Sequence, residues 1–379
     1  MAHWSDGFGR LNRSRLHRSV LLLCGLAVAG CSQRLEPVFE QPRFPISWPA
    51  AAAEARIRYV GQLASSADLK PPRKAFQALG ELLLGAKEPQ TLYGPRAVLC
   101  NADGTRVWVA DPGGRCLHRF DLESREYSKI ERAGETHLLS PVGLCRGAED
   151  SVFVCDSEDV AVHRISGSDG ALLGSLRLPE EVQRPVALSY DPNSDELYVV
   201  DVGAHDIKVL GPQGDLLRII GRRGRGAGEF NFPCDIADDG EVLWVADTGN
   251  QRVQGLARSG EVVAVFGQTG DAPGDLAMPK AIALDSDGHL YVVDARFENV
   301  QIFDRSGVLL LFFGQEGSGP GEFWLPGGIF IDQKDRVWVC DSYNGRVQVF
   351  DYLKRRVPPQ GSDNRGAPRS RSREEEGGG

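Results

Sequence analysis

One carboxylate returns six times in this chain. Asp111, Asp156, Asp201, Asp247, Asp294 and Asp341 follow one another at intervals of 45, 45, 46, 47 and 47 residues. Each closes a short phrase: Trp108-Val109-Ala110-Asp111, Phe153-Val154-Cys155-Asp156, Tyr198-Val199-Val200-Asp201, Trp244-Val245-Ala246-Asp247, Tyr291-Val292-Val293-Asp294 and Trp338-Val339-Cys340-Asp341. Carboxylates can ligate metals, move protons or accept backbone hydrogen bonds. A copy in every repeat points to the last role, because a turn built six times needs six acceptors. The side chains that vary between copies are better candidates for recognition. Arg96, Asp235 and Lys280 follow a recurring proline by one or two residues; His205, Arg296, Phe297 and Tyr343 follow a recurring aspartate by two to four. These seven are the candidate ligand- or partner-binding residues. Chain order identifies no Ser-His-Asp or paired-carboxylate arrangement, so no catalytic residue is assigned.

A period in the mid-forties with strand-like content marks radially repeated four-stranded sheets. In the fourth copy, Cys234–Ala237, Val242–Asp247, Arg252–Leu256 and Glu261–Phe266 alternate with polar turns, as an antiparallel blade requires. Side chains alternate across a strand, so the aromatic three residues before each aspartate shares a face with the small residue one before it. Large rings on one face and valine on the other suit sheets stacked face to face. Prolines 95, 141, 185, 233, 279 and 326 open the copies, a position that needs no ladder donor. The expected fold is all-β: a six-bladed β-propeller of four-stranded antiparallel blades. Strand order puts the seven candidate residues on one face, beside the central channel.

The sixth copy has three evident strands, Gly328–Ile331, Arg336–Asp341 and Val347–Tyr352, before the chain turns polar. An unfinished blade leaves an open seam. The spare strand is Ile57–Leu63, upstream of the first blade, and it is expected to close the last one. One short α-helix is expected over about 73–84, lying beside the channel mouth or on the outer rim. The expected domains are residues 1–30, a lipoprotein signal peptide; 31–55, a lipidated cysteine and tether; 56–353, the propeller; and 354–379, a disordered tail.

The amino terminus has a targeting layout. Arg10, Arg13, Arg15 and Arg18 precede the apolar run Val20–Gly30, which is too short to span a bilayer but suits a signal peptide. The run ends in Ala27-Val28-Ala29-Gly30-Cys31, which resembles the lipobox of bacterial lipoproteins; lipidation of Cys31 is the expectation. An acylated chain would be exported and held at a membrane of the bacterial cell envelope, on the outer membrane or the periplasmic side. The formal net charge of −9 gives no electrostatic reason to bind nucleic acid. The glycine-rich runs Gly221–Glu229, Gly267–Asp275 and Gly314–Glu322 lack the Gly-Lys-Ser/Thr ending of a phosphate loop and read as connections between blades. Cys100, Cys116, Cys145, Cys155, Cys234 and Cys340 show no CxxC spacing and read as small buried hydrophobes.

Three stretches carry a family likeness: Leu325-Pro326-Gly327-Gly328-Ile329, Val337-Trp338-Val339-Cys340-Asp341 and Asn344-Gly345-Arg346-Val347-Gln348-Val349-Phe350-Asp351. They resemble the NHL-repeat family of six-bladed propellers, over about residues 93 to 352. Trp48-Pro49 and Arg56-Ile57-Arg58-Tyr59-Val60 are similar to a segment upstream of the first blade in bacterial propeller lipoproteins. The likeness implies a monomeric scaffold that binds a protein or small ligand through its loop face and channel. It also admits an alternative, a hydrolase or lyase with Ca²⁺ or Zn²⁺ in the channel. Some relatives are amidating lyases with inner-strand histidines on zinc, but His118, His137, His163, His205 and His289 do not follow an opening proline here. Gluconolactonase-like relatives hold Ca²⁺ through carboxylates, for which Asp235 is the one weak metal candidate. The expectation is therefore no cofactor, with Ca²⁺ as the alternative.

Overall fold

The computed structural model describes residues 36–39, 42–50, 54–71 and 88–354. The expected signal peptide, Cys31, the helix over 73–84 and the tail beyond residue 354 lie outside the described residues. The chain divides into two units, Met1–Pro37 and Val38–Gly379, and the fold is that of the second.

Six antiparallel sheets surround a channel. Blade 1 comprises Ala97–Cys100, Arg106–Asp111, Cys116–Asp121 and Tyr127–Ile130; blade 2 comprises Pro141–Arg146, Ser151–Asp156, Ala161–Ser166 and Leu172–Arg177. Blade 3 comprises Pro185–Asp191, Glu196–Asp201, Asp206–Leu210 and Leu216–Ile220; blade 4 comprises Pro233–Asp238, Val242–Asp247, Arg252–Ala257 and Val262–Phe266. Blade 5 comprises Pro279–Leu284, Leu290–Asp294, Asn299–Phe303 and Leu309–Phe313. The first strand of each blade packs against the first strands of its two neighbours, which closes the ring.

The alternation of each second strand separates its two faces. Trp244 and Ala246 join a cluster with Ile282, Leu290 and Val292 of blade 5, whereas Leu243 and Val245 join one with Tyr198 and Val200 of blade 3. The same division holds at every junction, so each aromatic ring faces the following blade and each valine the preceding one. All six rings are buried. Six separate cores therefore replace one central core, which lets a long chain stay well packed.

Blade 6 carries the closure. Gly328–Ile331, Arg336–Asp341 and Arg346–Tyr352 are joined by Ile57–Leu63, with Ile57 opposite Tyr352 and Leu63 opposite Val347. The ordered domain begins earlier than residue 56, however. Ser47–Trp48 adds a fifth strand against Ile57–Arg58, and Trp48 packs on Phe313 and Phe350 at ring separations of 5.7 and 5.9 Å. The segment expected as tether thus belongs in part to the propeller, because the outer edge of Ile57–Leu63 would otherwise stay unpaired. Phe39 also lies on this edge, 5.9 Å from the Trp338 ring. A Cβ at Gly61 would come within 2.8 Å of Phe39, so glycine is needed for that approach.

Ile57, Tyr59, Val60 and Leu63 are each at most 5% exposed. At about 2 kcal/mol per buried apolar side chain, the strand contributes about 8 kcal/mol, comparable with the whole stability of an ordinary domain, about 5–15 kcal/mol. Deleting residues 56–63 is expected to abolish soluble expression. A soluble deletion product with an unchanged melting temperature would exclude this closure.

Candidate functional site

The six repeated aspartates build the face on which the candidate residues stand. Each is fully buried and accepts the backbone N–H two residues before the blade's opening proline or its equivalent: Tyr93, Leu139, Gln183, Asn231, Ala277 and Trp324, at 2.6 to 2.8 Å. In blades 1, 2, 3 and 5 the same carboxylate also takes the next N–H and at least one from the turn that follows it. Asp294, for example, accepts from Ala277 at 2.7 Å, Met278 at 3.1 Å, Arg296 at 2.9 Å and Phe297 at 3.1 Å. The expected turn bond is therefore half of the arrangement. The other half reaches back 16 to 18 residues to hold the incoming chain.

Blades 4 and 6 differ. Asp247 is filled by side chains, Arg252 Nε at 2.8 Å, Asn250 Nδ2 at 2.9 Å and Gln254 Nε2 at 3.2 Å, and Asp341 by Arg346, Asn344 and Gln348 in the same way. Arg252 and Arg346 also donate to carbonyls of the glycine-rich runs, at Gly226 and Gly319. In the run before blade 4, the backbone N–H groups of Arg225 and Gly226 are taken by the chain's own Glu229 carboxylate at 3.1 and 2.9 Å. These loops are connections between blades, and Glu229 occupies donors that a phosphate would need.

The displaced N–H groups find other acceptors. Phe232 donates to His205 Nδ1 at 3.0 Å, and Leu325 donates to Glu298 Oε2 at 2.6 Å. Both donors hold positive φ, 51° and 47°. His205 is buried, with its ring 4.4 Å from that of Phe232. Burial foremost, then the Arg223 charge, lowers its pKa, which favours the neutral imidazole that can accept the Phe232 N–H.

The structure brings Arg96 and Asp235 together on the wall of the central cavity, about 300 Å³ in volume. Arg96 on blade 1 donates to the Gly327 carbonyl, and Asp235 on blade 4 accepts the Ile282 N–H at 2.9 Å. Lys280 lies close by, its Nζ 3.9 Å from Cys234 Sγ. Arg296 is exposed and Phe297 half-buried, away from the cavity wall. Tyr343 is 66% exposed, its ring 5.2 Å from that of Trp324. Sequence reasoning looked after each proline and missed the residues before it, Tyr93, Phe232, Trp324 and Leu325, all of which are exposed. It also missed Arg146 and Tyr190, which line the same cavity.

Asp235 titrates at about 6: burial raises it, and the Ile282 N–H and the Arg96 charge only partly offset that. The cavity lining holds one other carboxylate, Asp238, and that one is paired with Arg258 at 2.9 Å. Calcium takes roughly six to eight oxygen ligands, so the residues present do not fit a calcium centre. Among the described residues no three His, Cys, Asp or Glu side chains group as metal ligands. His118 and His163 occupy the slot that Gln254, Gln301 and Gln348 fill in later blades, seven residues after the aspartate. There His118 contacts Asp111 at 3.3 Å and His163 contacts Ser175 at 2.8 Å. The six cysteines of the propeller are buried and free.

An acid whose folded pKa is raised lowers stability as pH rises from the unfolded value toward the folded one. Asp235→Asn is therefore expected to leave stability unchanged near pH 4 and to raise it at pH 8, by up to about 3 kcal/mol. Denaturant titration at the two pH values measures this, and equal stability at pH 8 would refute it. Asp294→Ala, which strands four backbone donors, should cost about 3 kcal/mol or more and lower the melting temperature markedly. An unchanged melting temperature would show that the carboxylate does not secure the blade.

Residues 124–320, more than half of the chain, match the teneurin NHL domain, and residues 323–350 match the NHL repeat. No curated protein matches the chain. Among solved structures it is similar to a virginiamycin B lyase from Staphylococcus aureus, at 15% identity and a TM-score of 0.51, covering 69% of this chain and 96% of that one. It is also similar to two proteins from Bacteroides thetaiotaomicron. One, of unknown function, has 14% identity and a TM-score of 0.56, with 70% of each chain covered. The other, an auxiliary nutrient binding protein, has 14% identity and a TM-score of 0.55, with 69% of this chain and 70% of that one covered. At such identities the likenesses show the fold alone. Six repeated blades, a strand-closed seam and the matched repeats make this chain a member of the NHL-repeat β-propeller family.

Proposed function

We propose that this chain is an exported, membrane-anchored binding scaffold that holds a protein or small ligand at its loop face and channel mouth. The observation that carries this reading is Asp235, a carboxylate set in the channel wall beside Cys234, Ile236 and Ile282, where burial raises its pKa and ionisation opposes folding. Groups retained against stability mark functional sites. Arg96 stands three blades away around the ring, so the mouth offers opposite charges across a cavity. Cys31, outside the described residues, is the proposed lipid attachment; the propeller then works as a monomer at an envelope membrane.

Changing Arg96→Gln, Lys280→Glu and Arg296→Glu together should leave the fold intact and abolish partner capture in pull-downs from native envelope. Capture that survives the triple change would show that the face is wrong. Cys31→Ser should move the protein from the membrane to the soluble fraction. Metal analysis separates the enzymatic alternative: stoichiometric Ca²⁺ or Zn²⁺ lost together with Asp235 would replace the scaffold by a metal-dependent hydrolase or lyase.

A further inference from the structure

Blades 4 and 6 break the clamp's pattern in the same way, and the result is visible outside. Phe232 and Leu325 both hold positive φ, a conformation costly to bulky residues. Both side chains face water, 50% and 36% exposed. Glycine would suit these backbones better; Phe232 packs on the His205 ring at 4.4 Å, yet half of its surface and about a third of that of Leu325 remain in water. An exposed apolar side chain on a strained backbone is explained by what it touches in a complex.

Blade 5 lies between the two positions and presents Lys280, Arg296 and Phe297. Trp324, 49% exposed, and Tyr343 extend the apolar surface on blade 6. The Arg296 side chain has no ion-pair or hydrogen-bond partner among the described residues, and Lys280 Nζ contacts Cys234 Sγ at 3.9 Å. The two carboxylates two residues from Arg296 are taken by backbone donors: Glu298 accepts the Leu325 N–H, and Asp294 accepts those of Ala277, Met278, Arg296 and Phe297. Cations at the opposite face are matched: Arg258 pairs with Asp191 and Asp238, Arg305 with Asp239 and Lys354 with Asp335.

We propose that this arc of blades 4 to 6 is a docking site for an extended acidic peptide segment of a partner protein. Apolar side chains of the segment rest on Phe232, Leu325, Trp324 and Tyr343, and its carboxylates meet Lys280 and Arg296. The proposal rests on the loop-face reading above and gives the partner its chemistry. Binding to a nucleic-acid backbone scales with the number of phosphates neutralised, and two cations supply little of that. A peptide carries apolar and acidic groups a few ångströms apart, which matches the interleaving seen here.

The test is selection of a displayed library of random peptides on the purified full-length chain, followed by fluorescence anisotropy of the enriched peptides. Enrichment of Asp or Glu beside Phe, Trp or Leu is expected. Binding should weaken at least about tenfold in Phe232→Gly/Leu325→Gly and in Lys280→Glu/Arg296→Glu, the loss typical of central anchor residues. The glycine variant should melt at the same or a higher temperature, because glycine takes positive φ without strain. A melting temperature lowered by several degrees would make the two residues structural and overturn the proposal. So would enrichment of basic peptides, no enrichment, or binding that survives both double changes. Peptides lost only with Arg96→Gln or Asp235→Asn would reject the arc and leave the loop-face reading standing. Binding to phosphatidylglycerol vesicles without peptide enrichment would replace the peptide by a lipid surface.

Discussion

A buried carboxylate that joins two strands of chain is the constraint on which this ring depends. Each repeated aspartate is shut off from water, and a bare ionised group there would be unfavourable. It is held because donors from two separate segments converge on it. One or two donors come from the chain arriving at the first strand; the others come from the turn or third strand that follows the second. Hydrogen bonds to a charged acceptor contribute about 1.5–3 kcal/mol each. The carboxylate therefore fixes where the first strand starts relative to where the second ends, and it does so at the same end of every blade.

With the backbone fixed by that device, the side chains around the mouth are released from structural duty in most positions. The clamp needs N–H groups, which every non-proline residue has, so Arg296 and Phe297 can differ from their counterparts without loss of the blade. The side-chain version in blades 4 and 6 satisfies its carboxylate by Arg, Asn and Gln instead. It then leaves one backbone N–H to be met by the preceding blade, through His205 or Glu298. A choice made inside the fold thus sets which groups point outward. The same economy explains the buried polar third-strand residues: His118, His163, Lys208 and the three glutamines all fill one slot beneath the carboxylate, and four of the six contact it. His118 and His163 therefore belong to blade structure.

The strands, their faces and the borrowed closing strand were legible from the residues because each rests on local pattern. Alternation with period two assigns Trp244 and Val245 to opposite junctions without knowledge of the neighbours. The seam was legible from a count: three strands in the last copy and one spare upstream. Ser47–Trp48 was not legible, since two residues carry no alternation and their pairing follows from an edge that exists only after closure.

The candidate site divides along the same line. The chain by itself determined that Arg96, Asp235, Lys280 and the residues after each aspartate share one end of the wheel, because strand direction alternates along every blade. Only the tertiary structure decided which of them meet. Arg96 and Asp235 line one cavity because ring closure sets blades 1 and 4 across the channel. Phe232 and Leu325 stand out in solvent because Asp247 and Asp341 are already filled, and no local pattern reports which of two blades wins a donor. Periodicity is a property of one strand at a time, whereas the competition for an acceptor arises between blades and exists only once they are packed.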